Sequence, residues 1–471
     1  MDRFRADETQ VEASQLRDPD GDFSGVPAHV FLRRRERVLE ELGDGAMILP
    51  AAPILYRSRD SELPYRPDSE LFYLTGFTEP EALLVLRGFA DEERAVLFVR
   101  PRDPAAEQWS GSRLGPERAR ERFAVDAAHP IGELDDRLPK LLAHARRIHF
   151  RLGRHRTVEN LVIQALQEAR SRGSRKGRGP RSVVDPGEIL DELRLHKGPE
   201  EIAVLREAVR VTAEGFRAAL AATGPGRGEW QLQAELEAAF RREGAQGPAF
   251  ATIVGSGVNA CTLHYVANSD ALGPGDLVLL DAGAEVRMYA GDITRTFPVA
   301  GTFSPAQRAV YEVVEEARTA AVQAVSPGVT IQDVHDAAVR VLTEGLMELG
   351  VLSGSVDELM GRKAHRRYFP HRTSHWLGLD THDPGDYIRD GEHRRLEPGM
   401  VLTVEPGLYF VPASAQDPEA DPESDHPYEG IGVRIEDDVL VTSDGAEVLS
   451  RALPTDADEI AAMVGGGVLE V

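Results

Sequence analysis

Three histidines lie within a window of thirteen residues, HRTSHWLGLDTHD, in the C-terminal half of the chain. They are His371, His375 and His382, and the whole sequence of 471 residues has only 14 histidines. A neutral imidazole can bind a divalent metal or move a proton near neutral pH, whereas a lone histidine is more often a core residue. Three histidines in so short a window, with acidic residues nearby, therefore indicate a chemical site.

Two aspartates supply candidate carboxylate partners. Asp281 ends the apolar run LVLLD, and Asp292 begins the segment DITRTFPV. A hairpin centred between Val286 and Arg287 would place the two aspartates directly opposite each other, with Cβ atoms about 5 Å apart. Like charges at that separation repel, so a cation should lie between them. A metal ion is the simplest candidate, and an Arg or Lys side chain is the alternative.

Two glutamates have the same character. Glu405 ends the apolar strand predicted for GMVLTVEPG, and Glu436 lies in IGVRIEDDVLV, where Arg434, Glu436 and Asp438 share one face of a predicted strand. Acids in strands this apolar are expected to be paired or to bind a metal. An ion pair between Glu436 and Arg434 is the structural alternative for that strand.

One imidazole with four carboxylates is a hard-to-intermediate donor set. It suits Mn²⁺, Fe²⁺, Co²⁺ or Zn²⁺, and without thiolates it does not suit Cu(I) or an iron–sulfur cluster. Two ions that share carboxylates would need about this many oxygens, and together they could activate a water molecule and polarise a carbonyl group. Cys261 is the only cysteine, so no intrachain disulfide and no cysteine-based zinc site can form.

Composition limits the partners. The 54 basic and 78 acidic residues give a net charge of -24, and such a surface repels nucleic-acid phosphates and anionic lipids. Neither nucleic acid nor a membrane is therefore expected as a partner. The polar N-terminus lacks a secretory signal, no apolar run is long enough to span a bilayer, and the sequence predicts a cytoplasmic protein.

The pattern of elements predicts an α/β (α+β) fold with two domains. Residues 1–28 form a polar N-terminal extension. Residues 29–182 alternate short apolar runs such as GAMILPAA and RAVLFVRPR with helical patterns, which is typical of a mixed α/β domain. We place the boundary just after the basic, glycine-rich stretch SRGSRKGRGPR, so that residues 183–471 form the second domain.

The second domain repeats one pattern of elements. Helices are predicted from Pro199 and from Glu229, and strands follow them. Two more helices are predicted, one capped by Ser304 with Gln307 completing a capping box and one from about Thr330, and strands follow again. Two helices and then strands, twice over, predict an internally duplicated domain with a site between its halves.

Five segments with these acids and histidines occur in a fixed order. They are Asp281-Ala-Gly, Gly291-Asp292-Ile-Thr-Arg-Thr, His375-Trp-Leu-Gly running to His382-Asp383, Thr403-Val-Glu405-Pro-Gly and Arg434-Ile-Glu436-Asp-Asp438. As an ordered set they resemble the pita-bread metallopeptidases, and within that group the bacterial aminopeptidase P type. The segment DSELFYLTGFTEPEALLVL resembles the N-terminal domain of that type, and ELRLHKGPEEIAVLREA resembles its domain junction. The resemblance covers about residues 29–450.

The resemblance implies a pita-bread catalytic domain with a pseudo-twofold duplication and a site for two divalent ions. The ion is usually Mn²⁺ in this family, with Co²⁺, Fe²⁺ or Zn²⁺ as alternatives. The implied ligands are Asp281, Asp292, His375, Glu405 and Glu436. Of these, Asp292 and Glu436 match the carboxylates that bridge the two ions.

Other roles follow from the same resemblance. His264 matches a histidine near the scissile bond, while His371 and His382 match histidines that line the substrate pocket, with His382 contacting the substrate carbonyl. Glu405 matches a proton shuttle. Tyr409 and Arg434 match residues that support the ligands. Trp109 resembles an aromatic residue that the N-terminal domain contributes to the pocket of a neighbouring subunit, which implies a homodimer or homotetramer.

The implied reaction releases the N-terminal residue from peptides with proline in the second position, by attack of a hydroxide that bridges the two ions. The imidazole and indole surfaces of the window HRTSHWLGLDTHD are expected to grip the proline ring. The acidic segment 412–427 is longer than the usual connection in the family and could narrow the entrance to the site.

Three alternatives stay open at this stage. A prolidase would share all five ligands but would take only dipeptides. A non-catalytic peptide-binding module of the same fold would have lost ligands, whereas all five positions are filled here. A creatinase-type hydrolase without metal is disfavoured for the same reason.

Overall fold

A computed structural model of the chain describes residues 25–172, 179–412 and 427–466. Most of the predicted N-terminal extension, the centre of the basic stretch and nearly all of the acidic segment 412–427 lie outside the described residues. The chain divides into two compact units, Met1–Leu190 and Asp191–Val471. The predicted boundary after residue 182 stays a prediction. No helix in the described parts of the chain is long and apolar enough to cross a membrane.

The N-terminal unit is built from six helices and eight strands among its described residues. The helices are α1 (Ala28–Leu42), α2 (Ser69–Thr75), α3 (Pro104–Ser110), α4 (Gly115–Arg122), α5 (Leu134–Leu142) and α6 (Arg156–Arg172), and the strands are β1 (Ala46–Pro50), β2 (Tyr56–Ser58), β3 (Ser61–Glu62), β4 (Leu83–Arg87), β5 (Ala95–Val99), β6 (Ala127–Pro130), β7 (Arg147–His149) and β8 (Ser182–Val184). Helix α7 (Gly187–Leu195) spans the division between the units.

Six of these strands form one mixed sheet in the order β6-β5-β4-β1-β7-β8. Strand β4 is antiparallel to β1 and β5, whereas β6, β7 and β8 are parallel to their neighbours. The central strands are apolar and buried along almost their whole length, as expected for strands that are covered on both faces. Residues of α5 and α6 pack with them in one hydrophobic cluster, which confirms the predicted mixed α/β architecture.

The C-terminal unit contains the second set of elements. Its helices are α8 (Pro199–Ala222), α9 (Glu229–Arg242), α10 (Pro305–Ala324), α11 (Ile331–Glu348), α12 (Val356–Gly361) and a last helix, Ala457–Ala462, and its strands are β9 (Gly247–Pro248), β10 (Ile253–Ser256), β11 (Leu277–Ala282), β12 (Ala284–Val286), β13 (Tyr289–Ala290), β14 (Ile293–Pro298), β15 (Ile388–Arg389), β16 (Glu392–His393), β17 (Val401–Val404), β18 (Gly407–Tyr409), β19 (Gly432–Arg434), β20 (Asp437–Val441) and β21 (Ala446–Val448).

The predicted repeat of two helices and then strands is confirmed. Helix α8 packs against α9, and α10 packs against α11. The Ser304 side chain accepts from the backbone N–H of Gln307, while the Gln307 side chain accepts from the N–H of Ser304, so the predicted capping box fixes the start of α10. The helix pairs are followed by the sheets β10-β11-β14 and β17-β20-β21 in the two halves.

The predicted hairpin register between the two aspartates was wrong by two residues. Asp281 pairs with Thr294, and the turn falls at Arg287 and Met288, which both have left-handed φ angles of 51° and 73°. Asp292 is therefore two residues away from the partner of Asp281. Since side chains two apart share one face of a sheet, both carboxylates still point to the same side.

The segment IGVRIEDDVLV does not form the single strand that its alternation predicts. It is divided into β19, which pairs with β18, and β20, which pairs with β17. Glu436 lies at the break, and its backbone N–H donates to the carbonyl oxygen of Thr294 at 3.0 Å. The break brings Glu436 next to the strand that begins just after Asp292.

A buried ion triad fixes the segment that follows the histidine window. Asp383 accepts from Arg194 Nη2 at 2.6 Å and from Lys197 Nζ at 3.0 Å, and all three side chains are almost completely buried. Although burial alone would raise it, these two cations hold the pKa of the Asp383 carboxyl below its usual value. The triad connects residues 194–197 to Asp383, which directly follows His382.

We expect Lys197→Met to lower the free energy of unfolding by about 3 kcal/mol, because removal of one partner leaves buried charge incompletely compensated. Denaturation of the purified protein by urea measures the change. Arg340→Met is the control, since Arg340 pairs with Asp357 at an exposed position. The control should change the stability by less than about 0.5 kcal/mol. Equal effects of the two substitutions would contradict a stabilising role for the triad.

Candidate active site

The histidine window is placed beside β17 by backbone hydrogen bonds. The N–H of Thr403 donates to the carbonyl oxygen of His375 at 2.9 Å, and the N–H of Glu405 donates to that of Thr373 at 2.8 Å. The Thr403 hydroxyl accepts in turn from the N–H of His375. A strand that ends at Val404 therefore presents Glu405 next to His375.

Carboxylates and one imidazole meet where these strands end. One ligand atom from each of Asp292, His375 and Glu436 lies within 4.8 Å of the other two. His375 Nε2 lies 3.4 Å from Asp292 Oδ2 and 3.7 Å from Glu405 Oε1. Asp281 Oδ2 accepts from Arg434 Nη2 at 2.5 Å, while its Oδ1 is buried and has no hydrogen-bond partner among the residues that the structure describes. These five side chains form what we call the carboxylate cluster: Asp281, Asp292, His375, Glu405 and Glu436.

The tautomer of His375 follows from its contacts. Nδ1 lies 3.0 Å from the carbonyl oxygen of Trp376, which can only accept, so Nδ1 carries the proton and donates. The lone pair of Nε2 therefore points toward Asp292 and Glu405. A backbone carbonyl that orients a ring in this way is typical of histidines that bind metals.

The electrostatics of the cluster favour a cation. Burial, and then the neighbouring Asp281 and Glu405 carboxylates, raises the pKa of Asp292 well above its usual value. Burial and Asp292 raise the pKa of Glu436 in the same way, and burial and Glu436 raise the pKa of Glu405 to about 8. Crowded, buried carboxylates beside an imidazole lone pair are the oxygen and nitrogen donors that divalent ions bind.

The alternative ion pairs do not account for the cluster. Arg434 binds Asp281 and the hydroxyl of Tyr409, whereas Glu436 accepts from the hydroxyl of Thr294 at 2.6 Å. The predicted alternative of an Arg434–Glu436 pair is therefore wrong. Within the described residues Asp292 pairs with His375 and forms no ion pair with an Arg or Lys. Arg434 lowers the repulsion in the cluster, but the pKa values of Asp292, Glu405 and Glu436 remain raised.

His371 is held as a neutral ring behind Glu405. Its Nδ1 donates to the carbonyl oxygen of Arg372 at 2.8 Å and lies 3.5 Å from Glu405 Oε2. Its Nε2 accepts from the hydroxyl of Tyr409 at 2.8 Å, and that hydroxyl accepts from Arg434 Nη1 at 2.9 Å. Burial and then Arg434 lower the pKa of His371 to about 3. The imidazole can therefore orient Glu405 without adding charge.

Two further histidines lie on the solvent side. His382 is exposed, and its ring centroid is 4.3 Å from that of His375. Burial, and then His375 and His264, lowers the pKa of His382. His264, also exposed, contributes to the lowered pKa of His371 as well. The residues on either side of His264 pack on Tyr409, whose hydroxyl donates to His371, and this places His264 on the side of the site where His371 and His382 lie.

Comparison with known proteins agrees with this geometry. Residues 203–443 match metallopeptidase family M24, and residues 31–149 match the aminopeptidase P N-terminal domain. The Xaa-Pro aminopeptidase of Escherichia coli (strain K12) is 44% identical over 94% of this chain and 99% of its own length.

The chain belongs to metallopeptidase family M24.

Solved structures of relatives have the same fold as this M24 metallopeptidase. The aminopeptidase PepP of Pseudomonas aeruginosa superposes with a TM-score of 0.88 at 43% identity, over 93% of this chain and 98% of that one. Zinc-substituted Escherichia coli aminopeptidase P in complex with product gives a TM-score of 0.87 at 43% identity, with the same coverage. The catalytic unit is therefore a pita-bread domain, and the family together with the carboxylate cluster supports the use of a divalent metal.

One expectation about the pocket of this peptidase was wrong. The indole of Trp376 is 0% exposed and packs in the hydrophobic cluster that includes Leu195, Val404 and Val439. It stacks on Tyr387 at an interplanar angle of 14°, and its Nε1 donates to the carbonyl oxygen of Gly385. The window therefore offers imidazole surfaces to a substrate but no indole surface.

Trp109 has the opposite environment. It lies on α3 of the N-terminal unit and is 91% exposed. An indole this accessible is available for a contact outside its own chain. Its predicted role in the pocket of a neighbouring subunit stays a prediction.

Three residues near the cluster had no role in our sequence predictions. The hydroxyl of Thr294 donates to Glu436, Asp438 Oδ2 accepts from the N–H of Asp292 at 3.0 Å, and His335 Nδ1 lies 2.8 Å from the hydroxyl of Thr373. The alternation of polar and apolar residues around Glu436 could have indicated a role for Asp438, which it places on the same face of the predicted strand. His335 lies on α11, far away in sequence, and no local pattern distinguishes it.

Proposed function

We propose that this M24 peptidase is an Xaa-Pro aminopeptidase, which hydrolyses the first peptide bond of substrates that have proline in the second position. The observation that carries the proposal is the carboxylate cluster with three histidines at its edge, in a chain 44% identical to an Xaa-Pro aminopeptidase over nearly its whole length. The mixed α/β N-terminal unit, which matches the aminopeptidase P N-terminal domain, supports the same activity.

The cluster is proposed to hold two divalent ions. The ligands would be the five side chains of the carboxylate cluster, with Asp292 and Glu436 shared between the ions. Four carboxylates are more than one ion requires, and Mn²⁺ suits a set dominated by oxygen, with Co²⁺, Fe²⁺ and Zn²⁺ as alternatives. When bound, such ions supply a Lewis acid for the peptide carbonyl and lower the pKa of water.

The protein groups around the cluster are proposed to move and hold protons. Glu405, oriented by His371, accepts a proton from the attacking water and passes it to the prolyl nitrogen as the bond breaks. His382 donates a hydrogen bond to the carbonyl oxygen as negative charge develops there. His264 contacts the substrate near the same bond. Tyr409 and Arg434 hold His371 and Asp281 in place through the contacts described above.

The Xaa-Pro bond explains why a dedicated site is needed. Proline has no backbone N–H, and its ring fixes φ, so an enzyme that binds extended peptides through that donor cannot bind this one. Exposed, neutral imidazoles such as His382 can contact the apolar ring without requiring an N–H from it. The substrates are therefore proposed to be peptides of at least three residues, with the chain beyond proline extending from the site.

Assembly and location are also proposals. An exposed indole at Trp109 supports a homodimer or homotetramer in which this side chain reaches a neighbouring active site. A net charge of -24 argues against nucleic acid or anionic membranes as partners. The single cysteine, Cys261, is buried and forms no disulfide, which agrees with a cytoplasmic location.

An amine-release assay with Mn²⁺ tests the substrate class. We expect Ala-Pro-Ala and longer Xaa-Pro peptides to be cleaved, and Ala-Ala-Ala to be spared because its flexible second residue does not match a pocket for a rigid ring. The dipeptide Ala-Pro is included because a closed pocket would meet its terminal carboxylate with a fixed positive charge.

Each of the other possible results of the assay would contradict the proposed function in a different way. Cleavage of Ala-Pro alone would identify a prolidase. Equal rates on Ala-Pro-Ala and Ala-Ala-Ala would show that the pocket does not read proline. Absence of cleavage in the presence of bound metal would indicate a peptide-binding module.

A further inference from the structure

One buried carboxylate outside the carboxylate cluster lies against the segment that carries His264. Glu229 is the first residue of α9 and is 0% exposed. Within the described ranges it forms no ion pair with a Lys or Arg side chain. A carboxylate that is removed from water without a countercharge must be stabilised by hydrogen bonds, so its donors show what it holds.

The hydrogen bonds that the Glu229 carboxylate accepts all come from one stretch of chain. Glu229 Oε1 accepts from the N–H and the hydroxyl of Ser256 at 2.7 and 2.9 Å and from Asn259 Nδ2 at 3.1 Å. Its Oε2 accepts from the hydroxyl of Tyr265 and from the N–H of Asp270, both at 2.9 Å. Five hydrogen bonds thus connect one carboxylate to both ends and the middle of the segment 256–270, which we call the His264 segment.

The His264 segment has little other regular structure to fix it. A short 3₁₀ helix covers Gly257–Cys261, and no strand or helix follows until β11 begins at Leu277. Several of its side chains are exposed, among them Val266 at 54%. Surface segments of this kind are mobile unless they are anchored. The bonds to Glu229 therefore anchor this segment together with the buried Asn268, which accepts from the N–H of Val254 and donates to Gln233 Oε1 and to the carbonyl oxygen of Thr252.

Tyr265 transmits the anchoring to the neighbouring histidine. Leu263 and Tyr265 pack on a small hydrophobic cluster that includes Ile253, Leu279 and Tyr409. Both side chains are half-buried there, whereas His264 between them is exposed. The hydroxyl of Tyr265 at the bottom of this arrangement donates to Glu229.

We propose that Glu229 is a positioning residue for catalysis, which fixes the His264 segment so that the His264 ring stays beside His371 and His382. The inference rests on the proposed function, since it concerns how one residue of that site is held. Glu229 touches neither the substrate nor the carboxylate cluster and acts through His264.

The substitution Glu229→Gln tests the role with little change of shape. Glutamine keeps one acceptor oxygen, but its NH₂ group cannot accept from Tyr265 or Asp270, so about half of the anchoring is lost. We expect kcat on Ala-Pro-Ala to fall about 10-fold with unchanged metal content, because small displacements of a reacting group have effects of this size or larger. Glu207→Gln on α8 is the control, since Glu207 accepts from Arg210 of the same helix and not from the His264 segment. The control should leave kcat unchanged.

A double-mutant cycle distinguishes positioning from general destabilisation. In a His264→Ala background, Glu229→Gln should have no further effect on kcat, because the group that it positions is absent. Equal fold-changes in the two backgrounds would overturn the inference, and so would a kcat for His264→Ala equal to that of the parent. Tyr265→Phe removes one of the five bonds and serves as a milder variant if Glu229→Gln does not fold. We expect Tyr265→Phe to lower kcat about 3-fold in the parent background and to have no effect in the His264→Ala background.

Hydrogen exchange supplies a readout that does not depend on the reaction. Amides of residues 256–270 should exchange faster in Glu229→Gln than in the parent, while those of α8 should not change. Unchanged exchange in the His264 segment would overturn the inference. A parent that does not cleave Ala-Pro-Ala would refute the proposed function, and the exchange result would still decide whether Glu229 anchors the segment.

Discussion

Replacing Asp292 with alanine is expected to remove both metal ions from the purified protein and to reduce its peptidase activity below detection. Asp292 is almost completely buried and lies between Asp281 and His375, and it is proposed to bind both ions at once. Removal of a ligand shared by two ions is expected to lower the metal content more than removal of any other ligand, because both ions lose a coordinating oxygen. Elemental analysis after purification in Mn²⁺ buffer measures the result directly.

Asp438→Asn is the matched control for Asp292→Ala. Asp438 is buried beside Asp292 and accepts from its backbone N–H, yet it is not a predicted ligand. Burial, and then Asp292, raises the pKa of the Asp438 carboxyl well above its usual value. Asparagine keeps the shape of the side chain and an oxygen that can accept from the N–H of Asp292, so this variant should retain two ions. Two tightly bound ions in Asp292→Ala would show that the ligand assignment is wrong.

The sequence could predict which residue types gather at the site, but not how the strands place them. Asp281 and Asp292 were recognisable as acids at the ends of apolar strands. Their register was not, because the turn uses left-handed backbone at Arg287 and Met288, where the sequence has neither the glycine nor the asparagine that usually marks such a turn. The two carboxylates still lie on one face of the sheet, because Asp292 is two positions from Thr294, the residue that pairs with Asp281.

Burial was harder to predict than residue type. Trp376 lies among histidines and was expected at the pocket, yet its large apolar surface is stabilised in the core under Tyr387. Glu229 looked like an ordinary acid in the first turn of a helix, where it would interact with the helix dipole. Its hydrogen-bond donors lie 27 to 41 residues later in the chain, and no local pattern connects them.

His382→Ala is expected to lower kcat by about 10²-fold while the metal content stays at the level of the parent. Removal of one donor to the developing oxyanion typically has an effect of this size. His382 is exposed, and its neighbour Asp383 is held by Arg194 and Lys197, so the substitution should not displace the segment. Its pKa is lowered by burial and by His375, so the ring is neutral near pH 7 and still has one N–H to donate. Steady-state kinetics on Ala-Pro-Ala and elemental analysis of the same sample are the two measurements.

His375→Ala separates catalysis from metal binding in the same window. His375 lies seven residues before His382, and the two rings are in contact, with centroids 4.3 Å apart. Only His375 has its Nε2 lone pair directed at the carboxylates by a bond from Nδ1 to the carbonyl oxygen of Trp376. Its removal should therefore release metal, whereas removal of His382 should slow the reaction on a fully loaded site. Full metal content in both variants, with an active His375→Ala enzyme, would show that the roles of the two rings have been assigned incorrectly.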